Sequence, residues 1–187
     1  MVDINHSNIT DPYLHEPKGV ASAPMGSVYF SDGTGSGSWK THHQVVAAYI
    51  PFNSATPYQH ACTTTDTPLD PTFSVEYNEG FTPVSSPNAR IVYTGSQDVS
   101  SQISLTLSTR NSTSQDRAVT WTVYKNGVAL GGKTIRTISP ATWGSITVTG
   151  YTVLSTNDYI EIKSSADDIC TIDYASGYLT IVGLPEL

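Results

Sequence analysis

The sequence predicts an all-β domain, a sandwich or barrel of short strands, preceded by an extended segment that obeys a different grammar. Three observations carry this. Val, Ile, Thr and Tyr, which suit a pleated and half-buried surface, dominate the apolar positions. No window holds a sustained 3.6-residue apolar period of the kind an amphipathic helix requires. From about Gln44 onward, short runs of alternating apolar and polar residues follow one another between turn residues at fairly regular spacing. With 187 residues, of which 38% are hydrophobic, the chain has material for one core of ordinary size plus a tail.

Residues 1–43 read as an extended arm. Pro12, Pro17 and Pro24 each remove a backbone donor and push the preceding residue toward extended geometry. Within the arm, the run "GSVYFSDGTGSGSW" has the makings of one small hairpin, 27–31 returning near Trp39 around Asp32-Gly33-Thr34-Gly35. A hairpin of that size is marginal by itself in water, so the arm is expected to order against another surface.

Residues 44–187 form the second region, with strands expected at 45–51, 58–65, 90–94, 103–109, 118–125, 133–138, 145–154, 159–164, 170–174 and 178–182. In "QISLTLS" the side chains of Ile103, Leu105 and Leu107 share one face and Ser104 and Thr106 the other. "AVTWTVYKNG" repeats the pattern with Val119, Trp121 and Val123 inward, and in "DYIEIKS" Ile160 and Ile162 flank Glu161. Asn126-Gly127 is the strongest hairpin signal in the chain, since both central positions of the tight turn need positive φ.

Composition narrows the function. Only 13% of residues are charged, the net charge is −7, and the nine Lys and Arg are scattered. A nucleic-acid face needs clustered basic residues, so nucleic acid is not an expected partner. No apolar run approaches the length of a bilayer-spanning helix, and the opening residues lack a basic-then-apolar signal pattern, so membrane insertion and secretion are not expected. The expected site of synthesis is a cytoplasm.

Catalysis has thin support. Asp167-Asp168 and Glu76 with Glu79 are the nearest approach to paired carboxylates, and both read more simply as turn and solvated-face residues. No serine lies in a Gly-x-Ser-x-Gly elbow. Cys62 and Cys170 lie far apart and outside any C-x-x-C pattern. They read as two buried thiols, with an inter-strand disulfide as the alternative. His6, His15, His42 and His43 fall in the arm, but no residue pattern assigns them a metal, and no cofactor is expected. Loops at sandwich ends are where binding specificity usually sits. There Trp143 is a candidate platform for a sugar ring, or else a buried loop anchor.

The series "RIVYTG", "YKNGVAL", "NDYIEIKSS" and "SGYLTIVG" resembles the jelly roll of the complement globular head and tumour necrosis factor families, and in particular its versions in structural proteins of tailed bacteriophages. The matching motifs are Tyr93-Thr94-Gly95, Lys125-Asn126-Gly127, Asp158-Tyr159-Ile160-Glu161 and Tyr178-Leu179-Thr180-Ile181. "HEPKGV", from His15 to Val20, with the glycine-rich turn before Trp39, is similar to the amino-terminal segment of phage head-fibre, capsid decoration and some tail-fibre proteins. The resemblance implies a homotrimeric virion protein on the capsid exterior, a cement knob or short head fibre whose partner is the major capsid protein. Its attachment residues would be Tyr13, His15, Pro17, Lys18, Gly19 and Trp39. The alternative it implies is a receptor-binding tail-fibre tip that recognises host surface polysaccharide. A trimer would also employ the eleven tyrosines, more than one small core needs, as contacts with one apolar and one wet side.

Overall fold

The computed structural model describes Ala23 and residues 27–31, 37–41, 44–85 and 88–185. These form two units, a hairpin and a sandwich, and contain strands but no helix. In the hairpin, β1 (Ser27–Ser31) pairs antiparallel with β2 (Gly37–Thr41), as the sequence predicts. Tyr29 and Trp39 are cross-strand partners, their rings edge-on with centroids 5.4 Å apart.

The sandwich unit begins with β3 (Gln44–Ile50), β4 (Tyr58–Cys62), β5 (Thr67–Pro68), β6 (Ser74–Glu79), β7 (Phe81–Val84) and β8 (Arg90–Tyr93). It continues with β9 (Val99–Asn111), β10 (Arg117–Lys125), β11 (Val128–Ile138), β12 (Gly144–Leu154), β13 (Tyr159–Ala166) and β14 (Cys170–Pro185). One sheet has the order β11-β10-β13-β8-β7, with β5 also on β13. The other has the order β12-β9-β14-β3-β6, with β4 also on β14. All ladder pairings are antiparallel, and successive strands from β7 to β14 alternate between the sheets except at the β7–β8 and β10–β11 hairpins.

The alternation read from the sequence places the core correctly. Ile103, Leu105, Leu107, Val119, Trp121 and Val123 are all buried between the sheets. At the centre the Trp121 indole Nε1 donates to the Tyr174 hydroxyl at 3.0 Å, which satisfies the polar atoms of two large buried side chains. Asn126 (φ 50°) and Gly127 (φ 79°) make the expected tight turn between β10 and β11.

Three expectations need correction. β5, β6 and β7 are additional strands. β6 and β7 are edge strands, and β7 keeps Pro83 because an outer strand need not use every donor. The runs 170–174 and 178–182 are one strand, β14, joined through a bulge at Ala175 where the register to β9 slips between Tyr174 and Ser176. Glu161, expected to face water, is 5% exposed, with its carboxylate 3.0 Å from the Lys163 ammonium.

Candidate interaction surface

The outer face of the β12-β9-β14-β3-β6 sheet is the most unusual surface of the sandwich. Four of its strands contribute 44–50, 99–109, 144–154 and 176–185, and none of these stretches contains an Asp, Glu, Lys or Arg. Strand pairing sets their outward side chains in rows. One row runs Val45, Val182, Gln102, Tyr151; the next runs Ala47, Thr180, Ser104, Thr149; a third runs Tyr49, Tyr178, Thr106, Thr147. Leu184, Ser100 and Val153 complete one end.

Large apolar groups are exposed along these rows. Tyr151 is 69% and Leu184 56% accessible, and Tyr49, Val75, Tyr77, Val153, Tyr178 and Val182 are also exposed. Tyr151, Val153, Val182 and Leu184 border a groove of about 480 Å³ whose floor includes Ser101 and Gln102. Ser and Thr fill the middle of the face, with Thr106 and Thr147 hydroxyls 3.1 Å apart. A monomer seldom exposes so broad a charge-free apolar face, whereas the core of a protein interface is depleted in charge and enriched in Tyr.

This arrangement sorts the tyrosines. Tyr93 and Tyr174 belong to the core, while Tyr49, Tyr77, Tyr151 and Tyr178 all stand on this one sheet. Two of their hydroxyls are held by the edge strand β6: Tyr178 donates to Glu76 and Tyr77 to Glu79, each at 2.9 Å. Those hydrogen bonds raise the pKa of both phenols. The carboxylates of Glu76 and Glu79 are therefore tyrosine acceptors along one edge. Asp168 forms an ion pair with Arg117 at 3.2 Å.

Besides the Glu76 and Glu79 carboxylates of the edge strand β6, charge enters the sheet at the opposite end of β9. Arg110 donates through Nε at 3.0 Å and Nη2 at 2.8 Å to Asp173 Oδ2, and Gln59 donates to Oδ1 at 3.0 Å. The Asp173 side chain is 1% exposed, so its charge is neutralised inside this network. Trp143 sits over the same pair, with the Arg110 guanidinium carbon 4.8 Å from its ring centroid. One ring face of the candidate sugar platform is thus occupied by Arg110.

Among the residues named for attachment, Trp39 lies in β2 against Tyr29, and its half-buried ring serves that hairpin contact. Tyr13, His15, Pro17, Lys18 and Gly19 lie outside the described residues, as do His6, His42 and His43. The fifth histidine, His60, is buried in β4 between Tyr58 Oη (3.5 Å) and Thr67 Oγ1 (3.3 Å), against the Tyr174 ring. No group of three or more His, Cys, Asp or Glu able to hold a metal occurs among the described residues. No helix among them is long and apolar enough to cross a membrane.

The rows on the outer face were missed from the sequence, although a signal was present. Alternating strands normally place charge on the wet side, and these four place Ser, Thr, Tyr and Val there instead. The Arg110–Asp173 pair had no such signal, because the partners are 63 residues apart and meet only through β9–β14 pairing.

No protein-family model matches the chain, and neither does any curated protein sequence. Solved structures do. The Eiger tumour necrosis factor of S. frugiperda matches over 77% of this chain and 95% of its own, with a TM-score of 0.51 and 9% identity. Murine APRIL at pH 5.0 matches over 76% and 99%, with a TM-score of 0.44 and 12% identity. PRD1 vertex protein P5 matches over 76% and 97%, with a TM-score of 0.45 and 11% identity. At such identities the likeness is one of fold, and the sandwich of this chain is a tumour-necrosis-factor-like jelly roll.

Proposed function

We propose that this chain is a structural protein of a phage virion, a homotrimer that decorates the capsid as a cement knob or short head fibre. The observation that carries the self-association is the outer face of the β12-β9-β14-β3-β6 sheet, which over 44–50, 99–109, 144–154 and 176–185 presents no charged residue. Its exposed Tyr49, Tyr77, Tyr151, Tyr178, Val182 and Leu184 suit burial against further copies of the same chain. The placement on a virion head is supported by the motif resemblance in residues 90–181 and in the arm, 1–43.

In this reading the jelly roll, 44–187, holds three arms at one site, and the arms carry the contacts with the major capsid protein. Tyr13, His15, Pro17, Lys18, Gly19 and Trp39 would make them. Lys18, the sole Lys or Arg in residues 1–39, would meet an acidic patch of the shell. Three linked arms raise the effective concentration of each, so modest contacts per arm add to firm attachment. An arm that orders on binding loses chain entropy, which trimerisation partly offsets.

The test is gold labelling of intact virions with an antibody against the jelly roll. Gold distributed over the heads is the expected result. Gold confined to the tail tip would overturn decoration and assign the chain to a receptor-binding fibre that takes host surface glycan.

A further inference from the structure

We propose that Cys62 and Cys170 are a two-electron oxidation site, which a low-molecular-weight disulfide such as oxidised glutathione converts into one intramolecular disulfide bracing β4 against β14. The two residues are direct partners in the β4–β14 ladder. Directly opposed residues in an antiparallel pair have Cα atoms about 4.5 or 5.5 Å apart, depending on the hydrogen-bonding position, and both separations lie inside the roughly 4.4–6.8 Å range of disulfides. Their Cβ atoms, about 4.5–5.5 Å apart in such a pair, need to close by only about 1 Å to reach the span of a disulfide. Both side chains are buried free thiols, Cys62 at 0% and Cys170 at 3% exposure.

The order of events follows from position. Cys170 opens β14 directly after Ile169, which is 73% exposed, so a brief opening of that turn brings its sulfur to solvent. Its thiolate attacks the small disulfide, forms a mixed disulfide and expels one small thiolate. The Cys62 thiol then loses its proton and attacks the Cys170 sulfur, expelling the second. Two protein thiols are oxidised, one external disulfide is reduced to two thiols, and two protons pass to those thiols through solvent. Burial pushes the Cys62 thiol up to about 12 despite the Ser164 hydroxyl at 3.3 Å, so the second step is slow at neutral pH and faster in alkali.

The bond would act on a strand held by a single ladder partner. β4 pairs only with β14 among the described strands, and it carries Tyr58 and His60, whose rings pack on Tyr174. A link between residues 62 and 170 closes a long loop, the geometry in which a disulfide constrains the unfolded chain most.

The experiment incubates the folded full chain with oxidised glutathione, followed by intact mass, peptide mapping and thermal unfolding. Expected are the loss of two hydrogens, one cross-linked peptide joining Cys62 to Cys170, and a rise in melting midpoint on the order of 10 °C that dithiothreitol reverses. In Cys62→Ser the glutathione adduct should persist on Cys170 with no such rise. Two intact thiols after exposure, a stable adduct on the unsubstituted chain, or cross-links only between chains would overturn the site. A Cys62–Cys170 bond that leaves the midpoint unmoved would overturn its bracing role.

Discussion

Val182→Asp tests the proposed assembly face most directly. Val182 lies in the row Val45, Val182, Gln102, Tyr151 and is 37% exposed, so in an isolated chain the new carboxylate would reach water. The local cost is then limited to lost β-propensity, at most about 1 kcal/mol. In the trimer the same carboxylate would be buried on a face whose four strands supply no Lys or Arg over 44–50, 99–109, 144–154 and 176–185. The effective cost of an unpaired buried ion is several kcal/mol. Taking about 3 kcal/mol per copy gives about 9 kcal/mol per trimer, or roughly six orders of magnitude in its dissociation constant. Sedimentation velocity across a micromolar concentration series should find a trimer for the parent chain and a monomer for the variant. Circular dichroism should find both folded, with similar β signal. A parent that sediments as a monomer, or a variant that remains trimeric at low micromolar concentration, would refute the assignment of this face.

Four further outcomes are expected. Trp121→Phe removes the donor to the buried Tyr174 hydroxyl and should cost about 2 kcal/mol by urea denaturation. Adding Tyr174→Phe should cost less than the sum of the single changes, because the double variant leaves neither partner orphaned. Arg110→Ala strips the counter-ion from Asp173 and should cost about 3–5 kcal/mol; the same denaturation series reads it, and a loss below about 1 kcal/mol would contradict the buried pair. Gly177→Ala sets a methyl 2.7 Å from Ile50 Cδ1 and 2.8 Å from Leu107 Cδ2, and should lower stability by about 1–3 kcal/mol through overpacking. Burial lowers the His60 pKa below its ordinary 6.5, with the Asp70 charge opposing the shift. The unfolded chain therefore binds the proton first, and stability should fall as pH drops below about 6.5. His60→Gln should flatten that slope in unfolding titrations above the carboxylate range.

The sequence alone was enough for the sandwich and for the inward faces of its long strands. Alternation is a local property, and Val119, Trp121 and Val123 could reach the core only by sharing one side of β10. The Asn126-Gly127 turn was legible for the same reason, since its positive φ angles are a demand on two adjacent residues. The short strands β5, β6 and β7 were not, because ladder partners stabilise them and their own patterns do not. The bulge at Ala175, the ion pair between Arg110 and Asp173, and the facing of Cys62 with Cys170 are decided by register between distant strands. The outer face stands between these cases. Its lack of charge is written strand by strand, but only the order β12-β9-β14-β3 places four such strands side by side. Periodicity tells a strand which of its sides is dry, and tertiary pairing alone decides which strands lie together on the other.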